Sequence, residues 1–295
     1  MSSSAEERLI CRLLDENART LSLTLRFLPR VLRDPLGLAY LLARAGDTIA
    51  DEGSIPLTRR VSMIRELDFF LVSGRFAAWK PCFSPEEISP RDAGLFTALP
   101  LLLSRLERHP DRAELLSLWR SILKGQAFDL ERFPSSRALS RWELETYCGD
   151  VAGSVGSAWV RLIITHVPDV LISRHEMLIP WAVSYGKGLQ LLNILRDRSA
   201  DLVKGRIYAK EDDIPELMIL AREWLAEGEK FLECLRPGRT LFASALPWDL
   251  AVQTLTKISA GSAEDRVKLD RSEVHFTVLS NLASLWLPRR SNPAS

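Results

Sequence analysis

Apolar residues recur at three- and four-residue spacing through four long blocks of the chain. They are "AEERLICRLLDENARTLSLTLRFL", "LTRRVSMIRELDFFLV", "RAELLSLWRSILKGQAFDLERF" and "IPELMILAREWLAEGEKFLECL". That period gathers them on one face of an α-helix. Prolines fall mainly between the blocks, at Pro35, Pro56, Pro90, Pro110, Pro134, Pro168, Pro180, Pro215 and Pro237, where helix boundaries belong. Alternating strand patterns and Asn-Gly or Asp-Gly hairpin turns are not evident. The β-branched stretch "WVRLIITHV" is short and lies in helical context. No Pro/Gly/Ser-rich linker divides the chain, and no low-complexity tract precedes the tail "RRSNPAS". The expectation is a single all-α domain over residues 1–295, with roughly ten helices.

Composition narrows the function classes. The 295 residues are 46% hydrophobic and 26% charged, ordinary for a globular protein. A net charge of +1 argues against bulk attraction to nucleic acid, so any basic site is local. Cys11, Cys82, Cys148 and Cys234 show no CxxC spacing. That favours a reducing compartment over a disulfide framework or zinc site. "MSSSAEERLICRLLDENART" does not read as a secretory signal, and "FTVLSNLASLWL" is too short and polar to span a bilayer. A cytoplasmic protein is expected, meeting the inner membrane face only peripherally.

Two segments carry the chemistry. "LQLLNILRDRSADLVKGR" places Asp197 and Asp201 one helical turn apart, and "ARAGDTIADEG" does the same with Asp47 and Asp51. Like charges at that spacing repel and weaken a helix. Facing carboxylates alone raise each other's pKa and lose charge. Divalent cations remove that penalty. Magnesium takes hard oxygen ligands at about 2.0–2.1 Å, through one or two carboxylates plus substrate phosphates. Two aspartate pairs on opposing helices therefore suit magnesium bridged to a diphosphate, with the metal acting as a Lewis acid for the departing group.

The neighbours suit an anion. Arg196, Lys204 and Arg206 surround the second pair; Arg44 and Tyr40 precede the first by one and two turns. Arginine offers a planar fork for phosphate oxygens. Gln190, Asn193, Asp197 and Asp201 form one polar stripe, with Leu191, Leu192, Ile194 and Leu195 on the other faces. A single DxxxD usually marks a solvated face. Two pairs, each flanked by arginine and apolar residues, are more specific, yet they do not identify a reaction.

"YCGDVAGSVG" resembles the YCxxVAGxVG signature of the squalene and phytoene synthase family. "GLQLLNILRDRSADLVKGRIY" resembles that family's GxxLQxTNIxRDxxEDxxxGRxY segment, and "AYLLARAGDTIADE" looks like its first aspartate-rich helix. "NARTLSLTLRFLP" is similar to its N-terminal RxF segment. "GQAFDLERF" and "RVKLDRSEV" look like segments of its bacterial squalene-synthase branch. The likeness runs in order from about Arg19 to Val274. It implies the all-α isoprenoid synthase bundle around a central cavity. It also implies head-to-head joining of two farnesyl diphosphates to squalene, with Mg2+ and NADPH. One allylic diphosphate ionises, the cation is attacked by the second double bond, and a cyclopropyl intermediate forms, which is then rearranged and reduced.

Position by position, the resemblance implies that Asp47, Asp51, Asp197 and Asp201 bind magnesium. Arg44, Arg196 and Arg206 are placed for diphosphate, with Tyr40, Gln190 and Asn193 beside them. Arg19 and Thr20 belong to the segment that closes over a diphosphate. Tyr147 matches a tyrosine that acts as a base or stabilises the cation. Asn193, Lys268 and Arg271 are implied for NADPH. The chain differs from the family pattern at Ala50 and Ala200, where glutamate is common, at Leu21 for Phe and at Gln126 for Met. It also lacks the proline after "GRIY". All four aspartates remain.

Other motifs weigh less. "RHEMLIP" fails the HExxH pattern at Ile179, and His109, His166 and His275 are isolated, favouring surface or satisfied-core roles. "GDVAGSVG" lacks the P-loop lysine and a preceding strand; its glycines suit close helix packing or a bend that aims Tyr147 inward. No GxGxxG occurs, so an NADPH site is not a Rossmann domain. Trp159, Trp181 and Trp248 suit the core, although aromatic faces also attract cations. Rival products are presqualene diphosphate, hydroxysqualene, dehydrosqualene and phytoene. A non-catalytic relative acting as an assembly factor is the alternative of another class. Oligomeric state is not readable.

Overall fold

The computed structural model describes residues 3–17, 24–81, 87–133, 137–260 and 269–289. Arg19, Thr20, Leu21, Cys82 and Lys268 lie outside the described residues. The regular structure described is helical; extended pairing is limited to one antiparallel bridge, Leu171 with Leu235. The chain divides into two compact units. One comprises residues 1–26 and 30–132, the other residues 27–29 and 133–295.

The first unit contains α1 (Ser3–Asn17), α2 (Arg30–Asp51), α3 (Leu57–Val72), α4 (Pro90–Arg108) and α5 (Arg112–Arg132). Its hub is α2, which packs on the other four. Apolar positions on several faces make that possible: Leu38, Leu41, Leu42, Ala45 and Ile49 are all buried. Pro35 falls inside α2 and not at a boundary. Its missing N–H removes one bond to the Val31 carbonyl. Arg105 of α4 ties α1 to α2, donating to Glu6 at 3.3 Å and Asp34 at 2.5 Å. Burial alone would raise the Asp34 carboxyl. The hydrogen bonds from His109 and Arg105 hold it below its ordinary value. His109 is therefore a satisfied core histidine.

The second unit contains α6 (Arg141–Cys148), a π-helical turn (Gly149–Gly153), α7 (Ser154–His166), α8 (Leu178–Val203), α9 (Ile214–Glu233), α10 (Arg239–Ala260) and α11 (Arg271–Asn281). Here the hub is α8, which packs on α6, the π turn, α7, α9 and α10. Its close approach to α7 and to the π turn depends on glycine. A Cβ at Gly156 would lie 1.9 Å from the Ala182 carbonyl oxygen, and one at Gly186 2.1 Å from that of Ala152. Gly149 has open space around it. The tryptophans divide: Trp248 is buried and donates to the Leu225 carbonyl at 2.7 Å, whereas Trp142 and Trp286 are exposed.

Backbone against backbone leaves no side chain to yield, so a methyl group at either close glycine must separate the helices. Gly156→Ala and Gly186→Ala should each destabilise the protein by about 3 kcal/mol or more, measured by urea unfolding, while Gly149→Ala should stay within about 0.5 kcal/mol of the parent.

Candidate diphosphate and metal site

The two aspartate pairs occupy equivalent places. Asp47 and Asp51 form the last turns of hub helix α2, and Asp197 and Asp201 the last turns of hub helix α8. Neither helix has a basic residue in its final turn. A helix C-terminus carries about half a negative charge, so Asp51 and Asp201, in the final turns, are each unfavourable there by roughly 0.3–1 kcal/mol, whereas Asp47 and Asp197 lie one turn further back. The i,i+4 repulsion adds to that. Each end is thus an anionic locus on the most firmly packed helix of its unit.

The end of α8 is fixed by its sequence. Gly205 takes φ +73, the left-handed conformation that glycine accepts without a Cβ clash. The Arg206 N–H then bonds the Asp201 carbonyl at 2.8 Å, and the Gly205 N–H bonds that of Leu202 at 2.9 Å. This is a Schellman turn, and it keeps Arg206 next to Asp201. Arg196 grips its neighbour Asp197 through two bonds of 3.2 and 2.5 Å. Gln190 is half-buried and Asn193 exposed, while Leu191, Leu192, Ile194 and Leu195 are buried, as the polar stripe requires.

At the end of α2, Asp47 and Asp51 are exposed. Asp47 is nevertheless held from below. Buried Gln126 of α5 donates through Nε2 to Asp47 Oδ1 at 2.6 Å and to the Ala43 carbonyl at 3.2 Å. Gly46 makes room for it, since a Cβ there would lie 2.3 Å from Gln126 Oε1. Arg60 donates to the Ala50 carbonyl, satisfying one orphan acceptor of the helix end. Ala50 itself is buried, so the glutamate common in the family would enter closed surroundings there. Arg44 pairs with Asp92 at 3.1 Å, and Asp92 also accepts from the Ser89 hydroxyl at 2.8 Å. The Tyr40 hydroxyl donates to the Asn17 carbonyl at 2.8 Å.

Tyr147 is the penultimate residue of α6, separated from the π turn by Cys148. Gly149 and Gly153 keep ordinary helical angles, so the chain widens to a π turn without using glycine's positive-φ freedom. Such turns recur at functional sites. Tyr147 is 7% exposed, and its hydroxyl meets that of Tyr208 at 3.4 Å. Tyr208 also packs on Phe133, with ring centres 4.6 Å apart. It lines a cleft of about 360 Å3 together with Arg141, Leu144, Lys210, Asp213 and Glu216. Beside Tyr147, burial pushes the Cys148 thiol up to about 12, so it stays protonated and is no nucleophile. Burial also raises the Tyr185 phenol far above its usual value while it donates to the Ser244 carbonyl at 2.8 Å.

Arg271 is exposed at the start of α11. Among the described residues, no three or more His, Cys, Asp or Glu side chains are gathered to hold one metal ion by themselves. The donor sets are pairs of hard oxygens, which suits magnesium completed by phosphate and water. Gln126, Asp92 and Tyr208, which touch Asp47, Arg44 and Tyr147, do not stand out in the sequence. Gly46, a glycine within a helix and next to Asp47, was the readable sign of Gln126.

A side chain at position 205 must adopt φ +73 or undo the turn. Gly205→Ala should lower stability by about 1 kcal/mol, read from the urea midpoint.

The squalene/phytoene synthase family model matches residues 14–217, more than half of the chain. The chain is 24% identical to a squalene synthase of Bos taurus over 208 residues, 70% of this chain and 47% of that protein. It is 26% identical to a presqualene diphosphate synthase of Botryococcus braunii over 220 residues, 71% and 47% of the two. The chain thus spans about half the length of these curated relatives. The structure of TcSQS with the ligand BPH1237 superposes with a TM-score of 0.78 at 20% identity, covering 94% of this chain and 86% of that one. The fold is therefore the isoprenoid synthase helical fold expected from the motifs. This chain belongs to the squalene/phytoene synthase family, whose members are head-to-head prenyltransferases.

Proposed function

We propose that the protein joins two farnesyl diphosphates head to head, with release of diphosphate, and carries the product to squalene with NADPH. One observation carries this: the hub helix of each unit ends in an aspartate pair set against its own helix dipole. Asp47, Asp51, Asp197 and Asp201 are the proposed magnesium ligands. Magnesium bound there supplies Lewis-acid neutralisation of the leaving diphosphate.

The chain's own residues do the rest. Arg196 and Arg206 supply positive charge beside the second pair, and Arg44, steadied by Asp92, beside the first. Tyr40, Gln190 and Asn193 offer polar contacts to the diphosphate, with Arg19 and Thr20 from the segment preceding α2. Tyr147 accepts the proton lost when the cyclopropane closes. Asn193 and Arg271, both exposed, offer an amide and a guanidinium to the NADPH phosphates, and Lys268 is assigned with them. NADPH supplies a hydride for the final step. The presqualene diphosphate synthase among the relatives makes a halt at that intermediate the natural second reading.

Incubation with farnesyl diphosphate and magnesium, with and without NADPH, tests the assignment. Squalene should form only with NADPH; presqualene diphosphate in both would select the second reading, and no coupled product would overturn both. Asp197→Asn keeps size and removes charge. It should lower turnover by about a hundredfold or more, as for loss of one strong electrostatic stabiliser.

We also propose peripheral association with the inner membrane face from a cytoplasmic location. No described helix is long and apolar enough to cross a membrane. Helix α11 is inside out: it buries Thr277 and Asn281 against Gln253 and Asp249, and exposes Phe276 at 71% and Leu279 at 64%. Trp286 and Leu287, a few residues further on, are exposed as well and have the aromatic and apolar character of an interfacial anchor. The protein should co-float with anionic liposomes, and Phe276→Asp with Trp286→Asp should abolish this. Equal flotation of the double variant would assign binding elsewhere.

A further inference from the structure

Deprotonation at the coupling step poses a chemical difficulty. A phenol near pKa 10 is a weak base, and a phenolate at Tyr147 would be a buried charge. The surroundings of Tyr147 offer a way round it. Its hydroxyl meets that of Tyr208 at 3.4 Å, and either oxygen can be the donor. That is long for an O–H···O contact, as catalytic hydrogen bonds commonly are before substrate binds. The two rings lie 5.4 Å apart, and Phe133 braces Tyr208 at its edge. Tyr208 is only 7% exposed, yet it forms part of the wall of the 360 Å3 cleft. Lys210, Asp213 and Glu216 of that cleft are exposed, so the cleft communicates with water.

We propose that Tyr208 is the relay through which Tyr147 exports the proton of the coupling step to the cleft, an inference that rests on the coupling reaction proposed above. As the cyclopropane closes, the C–H electron pair stays with the new carbon–carbon bond and the proton passes to Tyr147 Oη. In concert, the Tyr147 proton passes to Tyr208 Oη, and the Tyr208 proton passes to cleft water or to the carboxylate of Asp213 or Glu216. One proton leaves the substrate and one appears in solvent. Neither tyrosine changes charge, so no buried phenolate forms and no oxidant or reductant is involved. Phe at position 208 would keep the ring contacts and break the path.

The relay separates from the parent assignment by experiment. Single-turnover formation of the cyclopropyl product is measured for the parent, Tyr147→Phe, Tyr208→Phe and the double variant, alongside melting temperature and substrate binding. Tyr208→Phe should keep fold and affinity and lose roughly a hundredfold in the coupling rate. The double variant should fall no further than the slower single, because the two hydroxyls act as one unit. The parent should show a solvent deuterium effect with a bowed proton inventory, reduced in Tyr208→Phe. A fast Tyr208→Phe beside a slow Tyr147→Phe would overturn the relay and leave the coupling function intact. Full rates in both variants would remove both tyrosines. Absence of any coupled product from the parent would overturn the coupling function and the relay with it. The inventory needs no substitution, so a linear plot for the parent protein contradicts the relay even if Tyr208→Phe misfolds.

Discussion

Carboxylates at the negative end of a helix are electrostatically misplaced, and the rest of this structure is arranged around that fact. Asp51 and Asp201 lie in the final turns of α2 and α8, with Asp47 and Asp197 one turn further back, and neither final turn holds a basic residue. The dipole and the i,i+4 spacing both oppose such pairs. What weakens a helix end also makes it attract cations. The burden falls on the two helices best able to bear it, since each is the hub of its unit. Packing along their length keeps the ends in place while the charges strain them.

Each end has its own local restraint. At α8 a Schellman turn at Gly205 fixes Arg206 beside Asp201, and Arg196 grips Asp197. At α2 a buried glutamine reaches Asp47 through the gap left by Gly46. Arginine and glutamine thus restrain Asp197 and Asp47, and under the proposed function such preorganisation would lower the cost of assembling a charged transition state. The tyrosine pair follows a different logic. Tyr147 and Tyr208 are buried where charge is expensive, and a path that never leaves a phenolate behind suits them.

Much of the fold was legible because helical periodicity is a local signal. The three amphipathic blocks that begin at Leu57, Arg112 and Ile214 form helices, as do the described residues of the first up to Asn17, and most prolines among the described residues lie at or near helix ends. Pro35 lies inside α2 and not at a boundary, because sequence rules treat proline as a stop while the packing of α2 on its neighbours outweighs one lost backbone bond. The two aspartate pairs and Tyr147, which the proposed function uses, stand out in the sequence through spacing and resemblance. Gln126, Asp92 and Tyr208 do not, because each meets its partner through a contact distant in sequence: Gln126 with Asp47, Asp92 with Arg44, Tyr208 with Tyr147. The glycines of "YCGDVAGSVG" were read as packing or bending residues. Gly156 does pack closely, and the change of course is a π turn made with ordinary helical angles.

The central claim is that the aspartate pairs bind diphosphate through divalent cations. Binding of a non-reactive farnesyl thiodiphosphate, titrated calorimetrically with and without magnesium, tests it without requiring turnover. Affinity should rise at least about tenfold with magnesium. That gain should vanish in a protein carrying Asp47→Asn and Asp197→Asn together. Equal affinity with and without magnesium, or an undiminished magnesium effect in the double variant, would contradict the account.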